Sequence, residues 1–220
     1  MMEQSLAGKV VLITGGARRV GAAISERLHA AGANVALHYR KSASEADALR
    51  GRLESRRAGS TIALQADLLD VAALPGLVEA TLSRFGRLDV LVNNASTFYP
   101  TPLGEITPAH WDDLFGTNLR APLFLSQAAA PALRDSSGLV LNIVDIHGQR
   151  PLRHHPVYSA AKAGLIMLTQ SLAREMAPRV RVNAIAPGPV LFPEHGLTDD
   201  MKASILDLSL IHISEPTRPY

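Results

Sequence analysis

The chain contains no cysteine. This absence excludes disulfides, thiolate metal sites and cysteine nucleophiles, and it is compatible with a reducing compartment. No apolar run is long enough to cross a bilayer, and the amino terminus has no basic segment followed by an apolar core. We therefore predict a soluble cytoplasmic protein with no membrane partner.

A strong excess of charge is also missing. The 22 Lys and Arg residues face 20 Asp and Glu residues, which leaves a net charge of +2 and gives no argument for a nucleic-acid partner. The chain has 220 residues, of which 47% are hydrophobic, enough for one well-buried core and too few for two independent ones. We predict one domain, residues 1–207.

Short apolar runs alternate with amphipathic segments along this domain. The runs predict strands of the buried type, and the segments between them predict helices. Predicted strands cover residues 9–14, 34–39, 61–66, 88–93, 139–144 and 179–186; predicted helices cover 22–31, 44–57 and 71–85, and two more follow Pro108 and Pro156. The pattern favours an α/β fold of the Rossmann type, a doubly wound parallel sheet in a three-layer αβα arrangement.

Glycines separate the first strand from the first helix, at Gly15, Gly16 and Gly21. Such a turn lets the backbone approach a pyrophosphate, which exposed amides and the positive helix end then hold. A plain tight turn is the alternative interpretation.

The end of the second strand reads His38-Tyr39-Arg40-Lys41-Ser42 and contains no carboxylate. An NAD site usually has an acidic residue here for the ribose 2′-hydroxyl, whereas cations suit a 2′-phosphate. Arg19 adds a cation from the glycine turn, so we predict NADPH/NADP+ as cofactor. The alternative is a solvated basic loop before a helix that Ser42 and Glu45 cap as a box.

Tyr158 and Lys162 stand four residues apart, so a helix that begins at Pro156 places them on one face. A fixed ammonium beside a phenol is expected to lower the pKa of the phenol toward neutrality, which suits proton donation. Two ordinary residues on a solvated helix face are the alternative.

These features resemble one family in their order along the chain. Thr14-Gly15 with Gly21, Asn93-Asn94-Ala95, Asn118, Tyr158-x-x-x-Lys162 and Pro187-Gly188 resemble the short-chain dehydrogenases/reductases. That family usually has glycine where Arg19 and Ser96 stand, and serine where Asp145 stands. With the His38-Tyr39 pair and the segment 94–100, these departures resemble the pteridine reductase branch, including its bacterial dihydropteridine-reducing members.

The resemblance implies roles for the site residues. Tyr158 would give a proton to a ring nitrogen, Lys162 would bind the nicotinamide ribose, and Asn118 would kink its helix to hold a relay water. Asp145 would bond or protonate a pterin or folate, with a loop cap as its alternative role, and Phe98 would stack on the substrate, with core packing as its alternative. Ser96 and Tyr158 would also contact the substrate. The implied cofactor contacts are Thr14, Gly15, Arg19, Val20, Gly21, His38, Tyr39, Arg40, Lys41, Ser42, Asp67, Leu68, Asn94, Ala95, Ser96, Lys162, Pro187 and Gly188. His147, His154 and His155 are interpreted as loop residues, and no metal site is expected.

The carboxyl end departs from the family pattern. Residues 208–218 resemble a translated sequencing adapter, although residues 205–213 also fit an alternating edge strand. We expect residues 208–220 to be non-native and the family's last helix and strand to be missing. The intact protein is then expected to be a homotetramer, and this chain an inactive dimer or aggregate. Two other functions stay open: a general carbonyl or 3-oxoacyl reductase, and a non-catalytic NADPH-binding sensor.

Overall fold

The computed structural model describes residues 5–188, and its centre is a parallel sheet. The strands are β1 (Val10–Ile13), β2 (Asn34–Tyr39), β3 (Thr61–Gln65), β4 (Val90–Asn93), β5 (Leu139–Ile143) and β6 (Arg181–Ile185). They form a 6-stranded sheet in the order β3-β2-β1-β4-β5-β6, and every neighbouring pair is parallel. This confirms the predicted doubly wound α/β fold.

Helices connect successive strands. They are α1 (Arg19–Ala30), α2 (Ala43–Arg56), α3 (Leu74–Phe85), α4 (Pro108–Phe115), α5 (Ala121–Ser136) and α6 (Pro156–Met176). A π-helical turn, Gly116–Arg120, joins α4 to α5, and short 3₁₀ turns occupy Val71–Ala73 and Ile146–Gly148. The predicted long helix after Pro108 is therefore one continuous path with a change of helical type at its middle.

Alternation along β1 assigns the core to two faces. Leu12 packs in a cluster with side chains of α3, α5 and α6, such as Leu125. Val11 and Ile13 point the other way and pack with side chains of α1 and α2, such as Leu49. Because successive strand residues face opposite sides, a continuous apolar strand needs helices on both faces. This produces the three layers.

Within residues 5–188, no helix is both long enough and apolar enough to span a membrane. The predicted non-native segment 208–220 and the alternative edge strand at 205–213 lie outside the described residues.

Candidate active site

Polar residues gather at one edge of the sheet. Since all six strands are parallel, their carboxyl ends meet there, and ligands of such sheets bind beyond those ends. Gly15, Asp67, Asp145 and Pro187 each follow a different strand at this edge, and Asn93 is the last residue of β4. The structure thus places the predicted strand-end residues along one edge of the sheet.

The glycine turn after β1 needs its glycines for steric reasons. Gly15 has φ +62, a conformation that residues with a side chain rarely adopt. A Cβ at Gly21 would lie 2.0 Å from the Gly15 carbonyl oxygen, and one at Gly15 would lie 3.1 Å from the Ala95 Cα. The turn is therefore a close-packed loop that presents backbone at the start of α1, as a pyrophosphate site requires.

Thr14 and Asn94 hold this turn against the end of β4. The Thr14 hydroxyl oxygen accepts hydrogen bonds from the Asn94 and Ala95 backbone N–H groups, both at 3.0 Å. The Asn94 side-chain amide donates to the carbonyl oxygens of Thr14 at 2.9 Å and Gly15 at 3.2 Å. Both polar side chains are thus engaged within the protein, and their role here is to position backbone.

His38 supports the turn from below and does not face the cleft, in contrast to its predicted role as a cofactor contact. Its side chain is 2% exposed, and Nδ1 accepts a hydrogen bond from the Gly15 N–H at 3.2 Å. Nε2 must then carry the proton, which it donates to the Ala66 carbonyl oxygen at 3.1 Å. Burial lowers the pKa of this imidazole, which keeps it neutral. The Leu68 side chain is likewise buried in the core, so any contact it makes with a cofactor uses backbone.

Cations surround the other side of the turn. Arg40 Nε lies 3.3 Å from Asp67 Oδ2, and Arg18 Nε lies 3.6 Å from Glu45 Oε1. Ser42 makes no side-chain capping bond to α2, so the capping box that the alternative interpretation invoked does not form. Arg19 opens α1 with φ +50, and Lys41 is exposed.

Tyr158 and Asp145 form the centre of the site. The Tyr158 hydroxyl donates to Asp145 Oδ2 at 2.7 Å, and the Tyr158 side chain is buried. Asp145 Oδ1 accepts from the His147 N–H at 2.9 Å, so one carboxylate both caps the following 3₁₀ turn and binds the phenol. The loop-capping role considered for Asp145 is therefore observed through Oδ1, while Oδ2 is engaged by the phenol.

The pKa of Tyr158 is shifted upward. Burial raises it well above its usual range, and the hydrogen bond and negative charge of Asp145 raise it further. The predicted lowering by Lys162 is therefore wrong for this arrangement, since burial and the carboxylate dominate. Tyr158 is a neutral phenol that holds its proton.

Lys162 lies one helical turn beyond Tyr158 and is 2% exposed. Its Nζ donates to the Ile143 carbonyl oxygen at 2.9 Å and lies 5.8 Å from the centre of the Tyr158 ring. Burial lowers the pKa of the ammonium to about 8, and the negative charge of Asp145 opposes that effect. The prediction that Tyr158 and Lys162 share one face of a helix is confirmed, and the ammonium of Lys162 is buried.

Asn118 lies in the π-helical turn, where the sequence predicted a kinked helix. Its side-chain NH₂ donates to the carbonyl oxygens of Leu114 at 2.9 Å and Thr97 at 3.0 Å. Its Oδ1 accepts from the Ser96 hydroxyl at 2.6 Å. Ser96 therefore links the loop after β4 to the π turn, a contact that a glycine at this position could not make.

Phe98 is 50% exposed, which rules out its alternative role as core packing. Its ring stacks on His155, with centroids 4.6 Å apart and planes 9° from parallel, and it meets the Tyr158 ring at 4.8 Å in a T-shaped contact. His155 was interpreted as a loop residue, and this contact was missed. The two rings are 57 positions apart and follow no periodic pattern, so only the fold reveals that they touch.

Comparison with known proteins identifies the class of this fold and site. Residues 9–199 match the short chain dehydrogenase family, and the chain belongs to that family. It is 39% identical to "Pteridine reductase 1" of Leishmania tarentolae over 243 aligned positions, 93% of this chain and 82% of the relative. It is also 36% identical to the 3-oxoacyl-[acyl-carrier-protein] reductase FabG of Staphylococcus aureus, across 90% of this chain and 81% of that protein.

A solved structure agrees with these relatives. The crystal structure of FolM alternative dihydrofolate reductase 1 from Brucella canis, complexed with NADP, superposes with a TM-score of 0.85 at 37% identity. The match covers 94% of this chain and 82% of the other. The chain is thus an oxidoreductase of the short-chain type, and its resemblance to pteridine reductases is confirmed.

Proposed function

We propose that this protein reduces a pteridine, a dihydropterin or a dihydrofolate-type substrate, with NADPH. The observation that carries the proposal is the 2.7 Å hydrogen bond from the Tyr158 hydroxyl to Asp145 Oδ2. A reductase of simple carbonyls needs only a proton donor beside its substrate. A carboxylate at the same point supplies an acceptor for the N–H donors of a pterin ring.

The residues present fit a dinucleotide. The Gly15 turn offers close backbone approach, and the strand end at Arg40 and Lys41 offers cations for a 2′-phosphate. Arg40 already contacts Asp67 at 3.3 Å, so a phosphate there would compete with a solvent-exposed carboxylate. When bound, the nicotinamide would supply the hydride. The similarity to the NADP complex of FolM supports the phosphorylated cofactor.

Side chains of the protein itself hold and transfer the proton. Tyr158 keeps its hydroxyl proton until a basic ring nitrogen arrives, because burial and Asp145 disfavour the phenolate. On transfer the O–H bond breaks, an N–H bond forms on the substrate, and the Lys162 ammonium stabilises the resulting phenolate from below. Asn118 and Ser96 hold the wall of the site in place.

The first test compares NADPH oxidation with a dihydropterin and with a 3-oxoacyl thioester. Tyr158→Phe should abolish turnover and leave NADPH affinity close to unchanged, since the hydroxyl acts mainly in the transition state. Asp145→Ser should impair pterin reduction and spare cofactor binding. Tyr99→Phe, a neighbouring tyrosine outside the reacting pair, serves as the control and should keep full activity.

The similarity to FabG makes 3-oxoacyl reduction the second candidate. Faster turnover of the thioester than of the dihydropterin, with full activity retained in Asp145→Ser, would favour that candidate. NADPH binding without turnover of either substrate would favour a non-catalytic sensor.

Cofactor choice is tested separately. Arg40→Asp replaces phosphate attraction by repulsion and should weaken NADPH binding much more than NADH binding. Arg134→Asp, which changes an exposed arginine at the far end of α5, should weaken neither. Equal losses for both cofactors in Arg40→Asp would contradict the proposed phosphate site.

We also propose that the protein assembles through α4 and α6. On α4, Trp111 is 49% exposed and stacks on Phe115 with ring centroids 3.8 Å apart, and on α6 Met167 is 63% exposed. Large exposed apolar side chains on adjacent helices support a subunit contact. Trp111→Glu with Met167→Glu should lower the mass measured by light scattering, and an unchanged mass would contradict the contact.

A further inference from the structure

The loop between Asp145 and α6, here called the basic loop, has an unusual charge. Residues 146–155 contain Arg150, Arg153, His147, His154 and His155, and no Asp or Glu. The whole chain has a net charge of only +2. Positive charge is therefore concentrated in the segment that connects Asp145 to the helix of Tyr158.

The basic loop is fixed beside the site by contacts at several points. The His147 N–H bonds to Asp145, and the His154 carbonyl oxygen accepts from the Thr101 N–H at 2.7 Å. The Leu152 N–H donates to Ser159 Oγ at 3.3 Å. At Gly148 the loop approaches α6 so closely that a Cβ would lie 3.0 Å from the Lys162 carbonyl carbon. Its charges consequently have a defined place relative to Tyr158.

The two arginines of the loop are available to a ligand. Both are exposed, and no ion pair joins either of them to another residue of the described range 5–188. Arg40, at the end of β2, instead contacts Asp67 at 3.3 Å. An anion that reaches the basic loop therefore has no acidic competitor within the loop.

The histidines that flank the arginines each use one ring nitrogen to contact the loop backbone. His147 Nδ1 lies 3.0 Å from the Arg150 carbonyl oxygen, and His155 Nδ1 lies 2.9 Å from the Arg153 carbonyl oxygen. A carbonyl oxygen only accepts, so each Nδ1 carries a proton and each Nε2 remains for another partner. Both imidazoles are held in one orientation by the loop they belong to.

Phe98 connects the basic loop to the reacting pair. Its half-exposed ring makes a T-shaped contact with Tyr158 and stacks on His155. A flat substrate ring that receives a proton from Tyr158 thus has the basic loop as its neighbour. A substituent on that ring which extends past Phe98 would meet His155, whose ring is hydrogen-bonded to the backbone of Arg153 within the same loop.

We propose that the basic loop selects pteridines whose side chain is anionic, and that Arg150 and Arg153 are the residues that recognise the anion. This inference rests on the proposed pteridine reduction and adds the class of side chain that the substrate carries. Carboxylates of a glutamyl tail and phosphates on a propyl tail share the required chemistry, because guanidinium groups bind both in the same forked geometry.

The test measures kcat and KM for three dihydropterins: dihydroneopterin with its neutral tail, dihydroneopterin triphosphate, and dihydrofolate. The first two differ only in the phosphates, so their ratio of kcat/KM isolates the effect of tail charge. The enzyme is compared with the double variant Arg150→Gln/Arg153→Gln and with the matched control Arg134→Gln. Parallel calorimetric titrations with folate, in the absence of NADPH, record its affinity at low and high salt.

We expect kcat/KM to be higher for at least one anionic substrate than for dihydroneopterin. In the double variant this ratio should fall about tenfold because KM for the anionic substrate rises, while kcat and KM for dihydroneopterin stay unchanged. High salt should reduce the preference in the enzyme and not in the double variant. Loss of preference for the triphosphate alone, or for dihydrofolate alone, would identify which anion is recognised.

An unchanged preference in the double variant, or no preference in the enzyme, would overturn the role of the loop and leave pteridine reduction intact. If none of the three dihydropterins is reduced, the proposed function fails, and this inference fails with it.

Discussion

Lys162 should destabilise the folded protein at neutral pH, and its replacement by methionine should raise stability while removing activity. The ammonium is 2% exposed, and burial lowers its pKa from 10.5 to about 8. At 1.36 kcal/mol per pH unit, this difference corresponds to a cost of about 3 kcal/mol for keeping the charge in the native state. Methionine has a similar length and carries no charge to desolvate.

One contact is lost in the exchange. Lys162 Nζ donates to the Ile143 carbonyl oxygen at 2.9 Å, and loss of such a bond costs about 1 kcal/mol. The net gain is then about 2 kcal/mol, which for a domain of this size raises Tm by roughly 4–8 °C.

The pH dependence identifies the cause. Below the folded pKa of about 8, both the folded and the unfolded states hold the proton, and the full cost applies. Between that pKa and 10.5, only the unfolded state keeps the proton, so the stability of the unmodified protein rises with pH. The advantage of Lys162→Met should therefore shrink as pH rises and be gone once Lys162 is neutral in both states.

Urea unfolding followed by circular dichroism at about pH 7 and about pH 10 measures this change. Lys41→Met, at an exposed lysine, is the control and should shift stability little at either pH. A difference between Lys162→Met and the unmodified protein that is equal at both pH values would refute the reasoning, because it would show that Lys162 pays no desolvation cost.

Three further predictions concern stability at particular contacts. Thr14→Val removes an acceptor from two backbone N–H groups and should cost about 2 kcal/mol, whereas Thr101→Val, at a buried hydroxyl with no hydrogen-bond partner in the described structure, should be neutral or stabilising. Gly21→Ala places a Cβ 2.0 Å from a carbonyl oxygen and should lower the free energy of unfolding by about 3 kcal/mol. Gly51→Ala, in open space within α2, should instead raise the free energy of unfolding by about 1 kcal/mol. Asp89→Asn should cost about 2 kcal/mol near neutral pH and nothing at a pH where the unmodified carboxyl is protonated. Urea midpoints measure each pair, and a reversed order within a pair, or a pH-independent Asp89 effect, would contradict the corresponding contact.

Sequence periodicity was sufficient to predict the fold. The strand Asn34–Tyr39 was predicted at its observed bounds, since a short, mainly apolar run between a glycine and a basic segment has little freedom to shift. The strands and helices that follow it alternate as predicted. Local patterns predict such elements well because burial on both faces requires most residues of the strand to be apolar, and a polar exception such as His38 needs hydrogen-bond partners.

The site was predicted less completely, because contacts across the fold decide it. His38 matched a pattern for cofactor contact, yet its side chain lies under the glycine turn, where both ring nitrogens find partners from other segments. The pKa of Tyr158 depends on burial and on Asp145 more than on the nearby Lys162 that the motif suggested. The residue types at the strand ends predicted which side chains lie near the site. Whether a side chain faces the site or is buried beneath it, as His38 is, depends on packing between distant segments.

The two edges of the sheet differ in what their charges do. At the amino edge, Asp89 is 3% exposed and receives hydrogen bonds from Lys9, Arg87 and the Val10 N–H. Burial alone would raise the pKa of Asp89, but these donors outweigh burial and lower it. The charged carboxylate therefore stabilises the folded state at pH values above the unfolded pKa. That stability is lost only as the pH falls through the folded pKa. At the carboxyl edge, Lys162 is held where its charge costs stability. In the proposed reaction the Tyr158 oxygen becomes negative when it gives up its proton, and Lys162 Nζ lies 5.8 Å from the centre of that ring, so the cost of burying this cation is offset at the step where the phenolate forms.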